Sequence, residues 1–162
     1  MIQLTYAVDV YSFNITTEDV RIDTSVPTAQ IRHLLKFTND MDKEVKYAYG
    51  RSETIYPRYT RMTLIHNTTE NIFTGNINFL PCGYWKYSAW EVSFNGASVV
   101  ISDTTVPKSE TGTASDQTGI FGTVRGCVEV GKLYVQEKSG AEQVKYTQYP
   151  EPSGTNYIWY GQ

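Results

Sequence analysis

"YWKYSAWEVSFNG", residues 84–96, is the most aromatic stretch of its length in the chain, and its place in or out of a core governs every other strand assignment. It holds two tryptophans, two tyrosines and a phenylalanine. In an extended strand, side chains alternate between faces. Trp85 and Tyr87 therefore share one face, while Trp90, Val92 and Phe94 share the other. The apolar set changes parity near Ser88 and Ala89. A β-bulge there would return all five side chains to one face. Asn95-Gly96 then signals a tight hairpin, with "ASVVIS", 97–102, as its return strand. Two uses are open to so many aromatics: a core strand, or an exposed platform that stacks on a sugar or a nucleobase. Buried aromatics dominate the energetics of β-cores. A platform needs positive charge beside exposed rings, and Lys86 is the only cation nearby in the sequence. The expectation is a central core strand with Trp90 and Phe94 buried.

Composition points the same way. Thirteen tyrosines help raise the aromatic fraction to 14%, and tyrosine, threonine and valine suit pleated, half-buried surfaces. The net charge is −3 and the fourteen basic residues are scattered. This argues against nucleic acid as the main partner. The start, "MIQLTYAVDVYSF", lacks the basic and continuous apolar regions of a signal peptide. No stretch approaches the roughly twenty apolar residues that cross a bilayer. Cys82 and Cys127 follow no disulfide spacing pattern and are expected as free thiols.

Gln3–Val10 reads as one strand with Leu4, Tyr6, Val8 and Val10 on a single face. A weak strand follows at Val20–Ile22, then a break at 24–28. "IRHLLKFTND" and "EVKYAYG" flank the turn Asn39-Asp40-Met41-Asp42 as a hairpin or strand corner. Thr60, Met62, Leu64 and His66 form the more apolar face of a further strand. Ile77 and Phe79 share the apolar face of another, which Pro81 and Gly83 end. Residues 107–119, "PKSETGTASDQTG", read as a long, mobile polar loop. "TVRGCVEV" and "GKLYVQE" read as two strand segments separated by a bulge or turn at Gly131. "EQVKYTQY" and "NYIWY" add strands, with a turn at "KSGAE".

The organisation expected is an all-β, antiparallel β-sandwich of jelly-roll or Ig-like kind. It forms one domain over residues 1–149, followed by an extended C-terminal arm over 150–162. The arm ends in Tyr157, Ile158, Trp159 and Tyr160. Large apolar side chains at a chain end are costly to leave in water, so these four are the candidate subunit interface.

Signatures of catalysis and metal binding are lacking. His33 and His66 are the only histidines, and nothing in the sequence points to a third ligand. Nucleophile elbows and phosphate-cradling glycine loops do not occur. A non-enzymatic protein without cofactor or metal is expected. It serves as an assembly subunit or, alternatively, as a carbohydrate-binding β-sandwich that uses exposed Trp and Tyr.

"LLKFTNDMDKEVKYAY" (34–49), "RYTRMTLIHNTTENIFTGNINFLPCGYWKYSAWEV" (58–92), "GKLYVQEKSGAEQVKYTQY" (131–149) and "NYIWYGQ" (156–162) resemble small virion structural proteins of tailed bacteriophages. The resemblance covers roughly residues 30–160 and lies in texture and phrase order. It implies a non-enzymatic β-sandwich present in many copies in a virion, as a neck, tail or capsid-associated component, assembled in the host cytoplasm. Its partners would be copies of itself and other virion proteins, with no membrane involved. The resemblance carries no functional residues onto this chain.

Overall fold

Ala7 interrupts the alternation of the first ten residues. Its φ of 58° lies in the left-handed region, which a residue with a Cβ enters at a cost of roughly 1–2 kcal/mol. The expected single strand is therefore two, β1 (Ile2–Thr5) and β2 (Val10–Ile15). The turn between them carries the chain from one sheet to the other. Before it, the Tyr6 N–H donates to the Gln136 carbonyl (2.7 Å); after it, the Asp9 carbonyl accepts from His66 N–H (3.2 Å). Consequently Leu4 is buried, whereas Val8 and Val10 are exposed.

The computed structural model describes residues 1–138 of the chain. The expected turn at "KSGAE", the strands beyond it and the arm with Tyr157, Ile158, Trp159 and Tyr160 lie outside the described residues. After β2 come short 3-10 turns at Glu18–Val20 and Thr28–Gln30, then β3 (Ile31–Asn39), β4 (Val45–Tyr49), β5 (Ser52–Ile55), β6 (Thr60–His66), β7 (Asn76–Ile77), β8 (Gly83–Phe94) and β9 (Gly122–Gln136). The chain is all-β, with two packed sheets. One sheet has the order β1-β9-β8-β3-β4. In the other, β6 pairs with β2 on one side and with β5 and β7 on the other. Most pairings are antiparallel, but β1–β9 and β6–β7 are parallel.

The β3–β4 hairpin lies where its sequence places it. The Asn39 carboxamide oxygen accepts the Met41 N–H (2.7 Å), closing the turn locally. On β6, Thr60, Met62 and Leu64 are buried as alternation requires. The β5–β6 hairpin, turning at Tyr56–Tyr59, has no counterpart among the sequence expectations. The weak strand at Val20–Ile22 is not a strand; residue 20 ends a 3-10 turn. Ile22 and Asp23 instead donate their N–H groups to the Glu91 carboxylate, at 2.9 and 2.7 Å.

The parity change in β8 has a different origin from the bulge inferred for it. Against β3, β8 keeps one unbroken register from Trp85 to Ser93. Both of its faces are covered. Trp85, Tyr87 and Ala89 face the second sheet and join the main core with Leu35, Phe37, Met62, Leu64 and Phe79. Val92 and Phe94 point the other way into a second core with Leu34, Tyr49 and Val106. Trp90 is half-buried at the margin of that second core.

The bulges lie in β9. Val128 and Arg125 are the extra residues, at the register shifts opposite Ala89/Trp90 and Glu91/Val92. Each shift flips parity, so the second restores what the first reverses. Gly131 divides nothing: β9 runs through it. A Cβ there would lie 2.6 Å from the Tyr87 ring, so the glycine lets that ring cross the strand.

Asn95-Gly96 does not make a hairpin, and 97–102 is not a strand. β8 returns as β9 only after an excursion over residues 95–121. Asn95 closes its base: its carboxamide N–H donates to the Gly119 carbonyl (3.0 Å) and its oxygen accepts from Phe121 N–H (2.8 Å). A side chain committed to these bonds cannot serve a two-residue turn. The excursion folds back over the outer face of the five-stranded sheet, where Val99, Ile101 and Val106 cover the second core. The first half of the polar segment 107–119 docks there too. Tyr49 Oη donates to the Pro107 carbonyl (2.7 Å), Glu110 binds Lys36 and Tyr47, and Ala114 is buried. Residues 115–120 are exposed.

Candidate functional site

Two groups of polar side chains stand out. The first closes one end of the sandwich. His33 and Glu91 are directly opposed on β3 and β8, both buried. His33 Nδ1 contacts Glu53 of β5, and the other oxygen of that carboxylate accepts the His33 backbone N–H (3.2 Å). Glu91 takes two backbone N–H groups from residues 22 and 23. Glu129 accepts the Tyr87 hydroxyl and the Thr16 N–H. The Arg125 bulge aims its guanidinium at Ser93 Oγ (2.6 Å) and Asp23 Oδ2 (3.1 Å), a known use of bulges. Hydrogen bonds from the Ser25 and Ser93 hydroxyls, with Arg125 nearby, hold the Asp23 carboxyl at about 2. A buried carboxylate without such partners would be costly. Here each one ties a chain segment to the sandwich. Among the described residues, no group of three or more His, Cys, Asp or Glu is placed to hold a metal ion.

The second group lines a groove of about 450 Å³ on the outer face of the five-stranded sheet, beside the part that the 95–121 excursion covers. Its walls are Lys36 and Thr38 of β3, Lys86, Ser88 and Trp90 of β8, and Val130 and Lys132 of β9, and Tyr87 and Gly131 complete the lining. Register brings these together: Lys36 opposes Ser88, Thr38 opposes Lys86, and Lys86 in turn opposes Lys132. The Trp90 indole N–H donates to Ser88 Oγ (2.9 Å), which fixes the ring at the groove wall.

Lys86 thus has two cationic neighbours that are remote in sequence, and Trp90 is a half-exposed wall where a core residue was expected. The sequence reading missed the group because cross-strand neighbours are invisible without the register. Lys86, Ser88 and Trp90 do alternate along one strand, the one trace of it in the chain. Cys82 and Cys127 are free thiols, the first half-buried at the main core and the second exposed; burial pushes both thiols up.

No protein-family model matches the chain, and neither does any curated protein or solved structure.

Proposed function

We propose that the chain is a non-enzymatic structural subunit of a bacteriophage particle, in the neck, tail or capsid-associated layer. One observation carries the non-catalytic part. The carboxylates of the polar end, Glu53, Glu91 and the half-buried Glu129, bind the chain's own backbone and side chains. Such bonds serve shape rather than turnover. The location in a particle rests on the sequence resemblance, with the virion and its host cytoplasm as the setting. Tyr157, Ile158, Trp159 and Tyr160 are the proposed contact with a neighbouring copy. A jelly-roll or Ig-like sandwich is the finer architecture proposed. The antiparallel β4-β3-β8-β9 path supports it, and the parallel β1–β9 edge is a local departure. Mass spectrometry of purified phage particles from the chain's own source tests the reading. Peptides of this chain should be abundant in the particle fraction. Their confinement to the soluble lysate would overturn it.

A second reading, a carbohydrate-binding sandwich, is favoured by the groove. Trp90 offers a fixed ring beside the Ser88 and Thr38 hydroxyls and three lysines. The two readings are compatible, since a particle subunit can also bind a glycan.

A further inference from the structure

We propose that the outer-face groove binds an acidic carbohydrate, with a single carboxylated sugar residue seated against Trp90 and between Lys86 and Lys132. The proposal rests on the carbohydrate reading of the groove and adds the charge of the ligand.

The register supplies the first argument. Lys86 and Lys132 are directly opposed on neighbouring strands, where like charges destabilise a sheet. A fold that needed only stability would not pair them. Departures of this kind concentrate at functional positions, and an anion placed between the two ammonium groups turns repulsion into attraction.

Charge counting supplies the second. Three ammonium groups line the groove. Glu110 binds Lys36, and Asp40 lies 3.6 Å from Lys86. Among the described residues, Lys132 has no carboxylate within ion-pair distance. Three positive charges less two negative leave one, which matches one carboxylate.

The remaining lining fits the rest of a sugar. The C–H face of a pyranose packs on a flat aromatic ring, and its hydroxyls pair with groups such as Ser88 and Thr38. The indole is held by its own hydrogen bond to Ser88, so little ordering is needed on binding. The groove's volume lies within the range of small-molecule clefts, about 300–1,000 Å³. A nucleic-acid strand fits less well. It offers a phosphate at every nucleotide and is held by a continuous positive track with several stacked rings, whereas this groove has one surplus charge and one tryptophan.

The test uses the full chain, isotopically labelled, with the Trp90 indole N–H resonance as reporter, assigned through Trp90→Phe. The probes are a trisaccharide of galacturonic acid, its fully methyl-esterified form and a short oligothymidylate. The acid trisaccharide should shift the Trp90 resonance saturably. The Lys132→Glu variant should bind it about tenfold more weakly or worse, and 0.5 M salt should weaken binding severalfold. An unchanged Trp85 indole resonance reports that the variant keeps its fold. Equal binding of the ester would overturn the charge assignment while leaving the carbohydrate reading in place. A response to the oligothymidylate alone, or to none of the three probes, would overturn both, without touching the test on particles.

Discussion

Gly131 shows how one position can shape the packing of a core. Its missing side chain admits the Tyr87 ring, whose hydroxyl reaches Glu129. Gly131→Ala would place a methyl 2.6 Å from Tyr87 Cε1 and 2.7 Å from its Cζ and Oη. The ring would have to swing away and give up Glu129. The expected cost is about 1–3 kcal/mol, in the range of overpacked cores. Urea denaturation checks it: the midpoint should fall with the slope unchanged. A wild-type midpoint would show that Tyr87 moves freely, and the close approach would then explain nothing. The tyrosines also set the upper pH limit. Burial pushes Tyr11 up to about 12; burial, then the bond to Glu110, pushes Tyr47 up to about 12. Burial raises Tyr49, and burial with Glu129 raises Tyr87. Each holds its proton more tightly folded than unfolded, where the value is near 10. Stability from this source is therefore whole below about pH 10 and lost as the pH rises toward 12. Melting temperature against pH should be flat up to about 9.5 and then fall steeply while tyrosinate absorbance rises. A melting temperature that stays flat up to about pH 12 would contradict the burial of these hydroxyls.

At the scale of elements, the excursion over residues 95–121 hangs on Asn95. Asn95→Ala removes the bonds to Gly119 and Phe121, and with them about 1–3 kcal/mol at the loop base. Limited proteolysis should cut first within the exposed residues 115–120, faster in the variant. The two pieces should stay together, because β9 lies between β8 and β1 in one sheet. Pieces that separate would show that β9 does not belong to that sheet. The same region shows what could be read from the chain and what could not. Local patterns were legible: the β3–β4 hairpin, the buried face of β6, the core positions Ile77 and Phe79. The parity change at Ser88–Ala89 was legible too, but its cause was not. Whether a strand is bulged or covered on both faces depends on what lies across it, and here the cover comes from Val99, Ile101 and Val106. Asn95-Gly96 misled because its side-chain bonds reach residues 119 and 121, beyond any local rule. The groove was illegible for the same reason: Lys36, Lys86 and Lys132 become neighbours only through the pairing of three strands.

For the whole molecule, a single fold joins two uses of one sheet. Its inner face packs on β2-β6-β5 and makes the main core. Its outer face is half covered by the chain itself and half left as a charged groove. Buried carboxylates fasten segments at one end. A body fastened in this way holds its shape, as the proposed assembly subunit requires. Sedimentation velocity of the full chain, compared with a chain lacking residues 150–162, decides whether the proposed assembly forms and whether the arm joins it. The full chain should form one closed oligomer over a range of concentrations, and the shortened chain should sediment as a folded monomer with unchanged far-ultraviolet circular dichroism. A full chain that remains monomeric at every concentration, or a shortened chain that keeps the whole oligomer, would contradict it.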